Sequence, residues 1–318
     1  MTGDTGIAFA TRSNDHLLPT MCQLLGMNCN TPAAISFSFE GFSARGGRTD
    51  EHKDGWGIAF YKDAVCQLFT DHLPSIASPI AERIKRDPIK SKNIIAHIRK
   101  ATQGAVMPEN SHPFMRRLWG QDWTFAHNGD LKSFQPPAGR FLPVGQTDSE
   151  RAFCHLLDRL QAQFPQQATP PPPPELFDAI AGLACEVSQY GVFNFMLSNG
   201  EVLFAHCSTN LHYVIRAYPF STARLIDCDV SIDFSAHNHR HDRMTVIATQ
   251  PLTSNEQWVP FRSGELKMFA GGRIAAEMVH GKTGDTGDTS DSSDTSDSSD
   301  TGSGDACDHA VQAEAQAA

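Results

Sequence analysis

A chain of 318 residues with an apolar fraction of 40% has room for one large globular domain or two small ones. Its net charge of −10 sits mostly in Gly281–Ala318, where eight Asp and Glu314 face only Lys282, leaving the remainder close to neutral. That balance argues against nucleic acid as a partner, and no apolar run is long enough to cross a membrane.

Met1–Thr20 carries Asp4, Arg12 and Asp15 and only one short apolar piece, Ile7–Ala10, too short for a secretory signal. It reads as an extension ahead of the folded part. The eight cysteines form no CxxC pair, and several lie in apolar runs, as reduced thiols of a cytoplasmic protein do. From Cys22 to Met27 the pattern is a short apolar strand. Thr31 and Pro32 then suggest a helix over Pro32–Gly41, with Thr31 as N-cap and Pro32 at its first position. Gly41–Lys53 is polar and glycine-rich, hence a loop. Gly55–Tyr61 and Val65–Phe69 read as a hairpin pair, Ile80–Arg86 as a short helix, and Asn93–Arg99 as a buried strand.

Trp123–His127 is a further strand, and Asn128-Gly129 by itself reads as a hairpin turn. Thr147–Leu160 predicts a helix capped by Thr147 or Asp148, with Phe153, Leu156, Leu157 and Leu160 on one face. Pro170–Pro174 predicts a polyproline-type connector, followed by an amphipathic helix over Leu176–Gln189. Strands follow at Phe193–Ser198, Val202–His206, Tyr213–Arg216 and Thr245–Thr249, with a last hairpin over Leu266–Ile274. His237, His239 and His241 could share a face, but Asn238, Arg240 and Asp242 between them mark a solvated loop, so no metal is expected. From Asp285 to Asp300 every third residue is Asp, and residues 280–318 have no apolar face to bury, which predicts a disordered tail. Strands dominate without a βαβ rhythm, the pattern of an α+β layered domain with largely antiparallel sheets.

Four separated segments are too polar for their apolar surroundings: Cys22, His97–Gly104, Ala126–Asp130 and Gln146–Glu150. Together they hold the parts of an amide-cleaving site. If Met21 is removed, Cys22 carries both a thiol and a free α-amine, a nucleophile with its own base. Asn128 and Gly129 offer a side-chain and a backbone N–H to an oxyanion. Arg99 suits a carboxylate, and Asp148 an ammonium. An amide, a carboxylate and an ammonium together describe glutamine. Taken singly, each residue has a plainer reading: Arg99 a surface cation, Asp148 a helix cap, His97 a satisfied core histidine, His112 a loop-ordering residue and Trp56 packing.

The blocks Asp54-Gly55-Trp56-Gly57, Ala96-His97-Ile98-Arg99 with Ala101-Thr102 and Gly104, Ser111-His112-Pro113, Ala126-His127-Asn128-Gly129 and Thr147-Asp148-Ser149-Glu150 follow Cys22 in order. With Phe193-Asn194, Cys207–His212 and Ala248–Thr253, they resemble the class II glutamine amidotransferases, and among them the stand-alone YafJ-type members. The likeness runs from Met21 to about Ile274. It implies a four-layer αββα sandwich of the N-terminal nucleophile hydrolase type, over a domain of residues 22–279. It implies Cys22 as nucleophile, Asn128 and Gly129 as oxyanion hole, Arg99 and Asp148 as clamps for the two α-groups of the substrate, and Thr102 as a lesser contact. His97, His112 and Trp56 support the site, and no cofactor is implied.

Two positions depart from the pattern: Lys100 and Gln103 stand where synthase-type members carry tryptophan and histidine. The substrate is then glutamine or a γ-glutamyl compound, with a γ-glutamyl peptide or conjugate hydrolase as the alternative. No phosphate loop or dinucleotide fingerprint is present to activate an acceptor, so ammonia transfer would need a partner protein. The nucleophile must be N-terminal, which makes residues 1–21 an extension that is removed or not translated. If it is retained, the chain reads as a binding scaffold.

Overall fold

The structure, a computed structural model, describes residues 22–101 and 105–279. The expectations for 1–21, for Thr102 and Gln103, and for the acidic segment 280–318 lie outside the described residues.

In chain order the elements are β1 (Gln23–Ala34), α1 (Ser36–Ala44), β2 (Trp56–Lys62), β3 (Val65–Asp71), α2 (Pro79–Arg86), β4 (Lys90–Ile98), β5 (Phe114–Leu118) and β6 (Gln121–Asn128). Then come α3 (Asp148–Gln163), α4 (Pro173–Ser188), β7 (Asn194–Ser198), β8 (Leu203–Cys207), β9 (His212–Ala217) and the short pair β10 (Thr222–Arg224) and β11 (Ser231–Asp233). The chain closes with β12 (Arg243–Ala248), β13 (Val259–Pro260), β14 (Glu265–Ala270) and β15 (Arg273–Val279). Seven strands form one sheet in the order β13-β9-β12-β1-β4-β2-β3, and six form a second in the order β15-β14-β8-β7-β6-β5. Neighbouring strands in both sheets run antiparallel.

Side-chain alternation sorts these strands into layers. Leu24, Ile95 and Ile247 point inward and meet Ala126, Met196 and Leu203 of the facing sheet. Their neighbours Leu25, Ile94 and Ala96 point outward onto Phe39 and Phe42 of α1 and Ile84 of α2. On the other side Phe125, Phe195 and Phe204 meet Phe153 and Leu157 of α3 and Ile180 and Ala184 of α4. The result is helix, sheet, sheet, helix, the expected α+β sandwich. Both sheets are covered on both faces, which is why these antiparallel strands read as continuous apolar runs.

Local details differ from the sequence reading. Thr31 and Pro32 belong to β1, which runs past a register shift after Asn28, and the helix begins only at Ser36 with no side-chain cap. Pairing with β4 resumes beyond them, Ala33 with Ser91 and Ala34 with Lys90, and these ladder positions outweigh the capping signal. The proline run is no free connector: α4 starts at Pro173, whose fixed φ and missing N–H suit a first turn. Asn128-Gly129 is not a hairpin turn. Asn128 ends β6, and the chain continues through a long connection to α3. The helix at Thr147 starts as expected, with Thr147 accepting from the Glu150 N–H at 3.2 Å.

Candidate active site

The start of β1 and the ends of β4, β6 and β12 meet at one edge of the sandwich. Register sets this meeting: Gln23 pairs with Ile98, and Leu25 with Ala248. One residue further on, Arg99 extends the ladder by donating its N–H to Gly55 O at 2.9 Å, and its carbonyl accepts from Asp54 N at 3.2 Å.

Half-buried Cys22 sits in the middle of this edge. Its sulfur lies 3.2 Å from the Lys100 N–H and 3.3 Å from the Lys100 carbonyl. The peptide of Lys100 therefore touches the thiol, a contact its side-chain identity could not announce. Asn128 Nδ2 donates to the Cys22 carbonyl and lies 3.5 Å from Thr249 Oγ1. Nδ2 carries two hydrogens, one for the Cys22 carbonyl and one for the long bond to Thr249 Oγ1. Thr249 Oγ1 also accepts from Leu24 N at 2.9 Å, so this hydroxyl ties β1, β6 and β12 together. Burial pushes the Cys22 thiol above its ordinary value, opposed by the Lys100 backbone and by the positive charge of Arg99. Without a base, such a thiol holds its proton.

Arg99 is buried, and its Nη1 donates to the Ala105 carbonyl at 3.1 Å. Burial lowers its pKa, and the neighbouring Cys22 and Asp54 work against that. Asp54 accepts from Ala101 N at 2.8 Å and so latches the start of the segment that carries Thr102. Asp148 is buried at the first turn of α3, where its carboxylate accepts from Leu131 N at 2.8 Å and from its neighbour Ser149 N at 2.9 Å. Gly129 packs where a Cβ would overlap the Val192 carbonyl, so glycine is needed there for close approach alone.

The supporting residues form the wall behind the edge. Trp56 is fully buried against Phe39, with ring centroids 5.6 Å apart, as packing requires. His97 and His112 are buried with rings 4.2 Å apart, and His112 also meets Phe114 at 4.4 Å. His97 is a core histidine: its ring nitrogens and those of His112 close no hydrogen bond of full geometry, though the His127 backbone lies near enough to His97 to favour its charged form. Burial draws His97 down to about 3 and His112 well below the usual range. His127 differs, because its Nε2 bonds Val192 O at 2.9 Å and its Nδ1 bonds Ser149 Oγ at 2.8 Å. A carbonyl only accepts, so the proton sits on Nε2.

The structure thus brings Cys22, Arg99, Asn128 and the Lys100 peptide together, with Asp148 anchored at the neighbouring helix start. Two contributors went unassigned in the sequence: Asp54 and Thr249. Both lie inside blocks that carry the family likeness, which was their only signal. Among the described residues no group of three or more His, Cys, Asp or Glu gathers to hold a metal, and His237, His239 and His241 lie exposed in a loop. No helix among them is long and apolar enough to cross a membrane.

The sequence profile of the class II glutamine amidotransferases matches residues 21–293. The chain is 51% identical over 265 residues to a Haemophilus influenzae protein named "Putative glutamine amidotransferase", covering 83% of this chain and 89% of that one. It is 52% identical over 250 residues to Escherichia coli "Putative glutamine amidotransferase YafJ", covering 78% and 97%. A crystal structure titled as a predicted glutamine amidotransferase from Pseudomonas aeruginosa superposes with a TM-score of 0.62 at 42% identity, over 80% of this chain and 99% of that one. This chain belongs to the class II glutamine amidotransferases.

Proposed function

We propose that the chain cleaves the side-chain amide of glutamine, or the amide of a γ-glutamyl compound, through a thioester on Cys22. The observation that carries this reading is the environment of Cys22: the Asn128 side-chain amide on its carbonyl, the Lys100 peptide at its sulfur, and Arg99 on the adjacent strand end.

In this reading the Cys22 sulfur adds to the amide carbon while its proton passes to its own α-amine, which exists only once residues 1–21 are absent. The raised thiol pKa makes such a neighbouring base necessary. Asn128 Nδ2, exchanging its long 3.5 Å bond to Thr249 Oγ1 for the substrate, and the Gly129 N–H receive the oxyanion. Collapse breaks the C–N bond, the α-ammonium returns its proton to the nitrogen, and ammonia leaves behind an S-acyl thioester. Water then adds, its proton taken by the α-amine. The S–C bond breaks, glutamate departs, and the thiolate recovers its proton. Arg99 takes the α-carboxylate, Asp148 the α-ammonium and Thr102 a lesser contact, with His97, His112 and Trp56 as the supporting wall. A γ-glutamyl peptide or conjugate follows the same steps with a larger amine leaving, and ammonia released from glutamine would pass to a partner protein.

The test is turnover of glutamine and a panel of γ-glutamyl amides, together with N-terminal sequencing of the protein from its native source. Cys22 at the N-terminus, activity abolished by Cys22→Ala and kept by Cys29→Ala support the reading. Equal loss in both folded variants would overturn the nucleophile assignment. A protein beginning at Met1 with no turnover would favour a binding scaffold.

A further inference from the structure

Asn110 has no part in the chemistry above, yet it is buried and its side chain is used at both ends. Its Nδ2 donates to the Ala105 carbonyl at 3.0 Å. That same carbonyl accepts from Arg99 Nη1 at 3.1 Å, and its two lone pairs allow both bonds. Its Oδ1 accepts from the Gln146 N–H at 2.9 Å, two residues before Asp148. One amide therefore spans from a carbonyl that Arg99 also holds to the entry of α3.

The segment on the α3 side is shaped to sit on Asn110. A Cβ at Gly145 would overlap Asn110 Oδ1 and stand 2.7 Å from Glu109 O, so glycine lets the loop close down. Glu150 holds the loop from beneath, accepting from Gly145 N at 2.6 Å and Val144 N at 3.0 Å while Arg116 donates to it at 2.6 Å. Glu150 has the spacing of a capping-box partner for Thr147, but its carboxylate is spent on this loop instead.

The α-carboxylate and α-ammonium of an amino acid hang from one carbon, so their receptors must keep one separation. A misplacement of about 1 Å in such a pair can cost as much as a hundredfold in rate. We propose that Asn110 is the positioning residue that sets the separation of Arg99 from Asp148, and so selects substrates with an intact α-amino acid head. This inference rests on the function proposed above.

The experiment compares wild type with Asn110→Ala, Asn110→Asp and Gly145→Ala, using the protein as isolated. Three readouts are taken: steady-state kinetics with glutamine, inactivation by the diazoketone analogue of glutamine, which carries both α-groups, and alkylation of Cys22 by iodoacetamide, which carries neither. Asn110→Ala is expected to raise KM for glutamine by about tenfold, the worth of a lost hydrogen bond or two, with kcat changed by less than about threefold. Diazoketone inactivation slows in parallel, and iodoacetamide alkylation stays near wild type. Asn110→Asp keeps the acceptor for Gln146 but faces Ala105 O with an acceptor, so it shifts KM in the same direction. Gly145→Ala leaves Asn110 in place and lifts the loop off it, giving the same split should the Asn110 variants fail to fold.

Unchanged KM in the folded variants would overturn the inference, as would a joint fall in kcat and iodoacetamide reactivity at constant KM. If wild type itself ignores glutamine and its diazoketone yet alkylates with iodoacetamide, the substrate reading fails, and this inference fails with it.

Discussion

His97 and His112 give the protein a measurable acid sensitivity. Both are buried and neutral in the fold, with His97 drawn down to about 3 and His112 well below its usual range by loss of hydration. In the unfolded chain each takes a proton near 6.5. Below that pH the unfolded state binds more protons than the folded state, so stability falls as pH falls. The contribution is complete above 6.5 and shrinks with acidification until His97 itself titrates near 3. Each proton is worth about 1.4 kcal/mol per pH unit, so between about pH 6.5 and 4.5 His97 alone removes about 2.5 kcal/mol, and His112 adds to it in the same direction. That is a large share of a typical folding free energy of about 5–15 kcal/mol. His112→Leu deletes one of the two titrations and should lower the pH slope of stability below about pH 6.5, whatever it does to stability at neutral pH. Urea unfolding at a series of pH values measures the slope. A slope equal to wild type would mean that His112 accepts its proton in the folded protein, and would refute the argument.

Three further outcomes are expected. Asn128→Ala removes the oxyanion donor proposed for its side chain and should lower kcat about 100- to 1,000-fold, read by ammonia release from glutamine; a rise in KM alone would contradict that role. Arg99→Gln removes the positive charge that lowers the Cys22 thiol, so iodoacetamide alkylation at fixed pH should slow, and an unchanged rate would show that the guanidinium does not reach the sulfur. Thr147→Ala deletes the cap of α3 and should cost about 1 kcal/mol in thermal or urea unfolding.

Element positions were legible where burial dictates residue type. Leu24-Leu25, Ile94–Ala96 and Phe195–Leu197 are apolar because both faces of their sheets are covered, and they fall in strands. The short strands β5, β10, β11 and β13 carry no comparable run and went unread. Thr31-Pro32 misled because a capping signal is local, whereas the pairing of β1 with β4 joins residues far apart in sequence.

For the site, the sequence by itself determined which residue types could do the chemistry: a cysteine able to carry its own base, an Asn-Gly donor pair, and one arginine and one aspartate set among apolar strands. It also determined the family, through blocks whose order and spacing survive in a linear reading. Only the tertiary structure decided that the Lys100 peptide meets the Cys22 sulfur, that Thr249 ties three strands beneath it, that His97 and His112 pack together behind it, and that Asn110 bridges two loops. The physical reason is shared. These contacts run through backbone groups, which every residue but proline carries alike, or through polar side chains whose partners lie many residues away. Composition and spacing do not encode such meetings; strand register creates them.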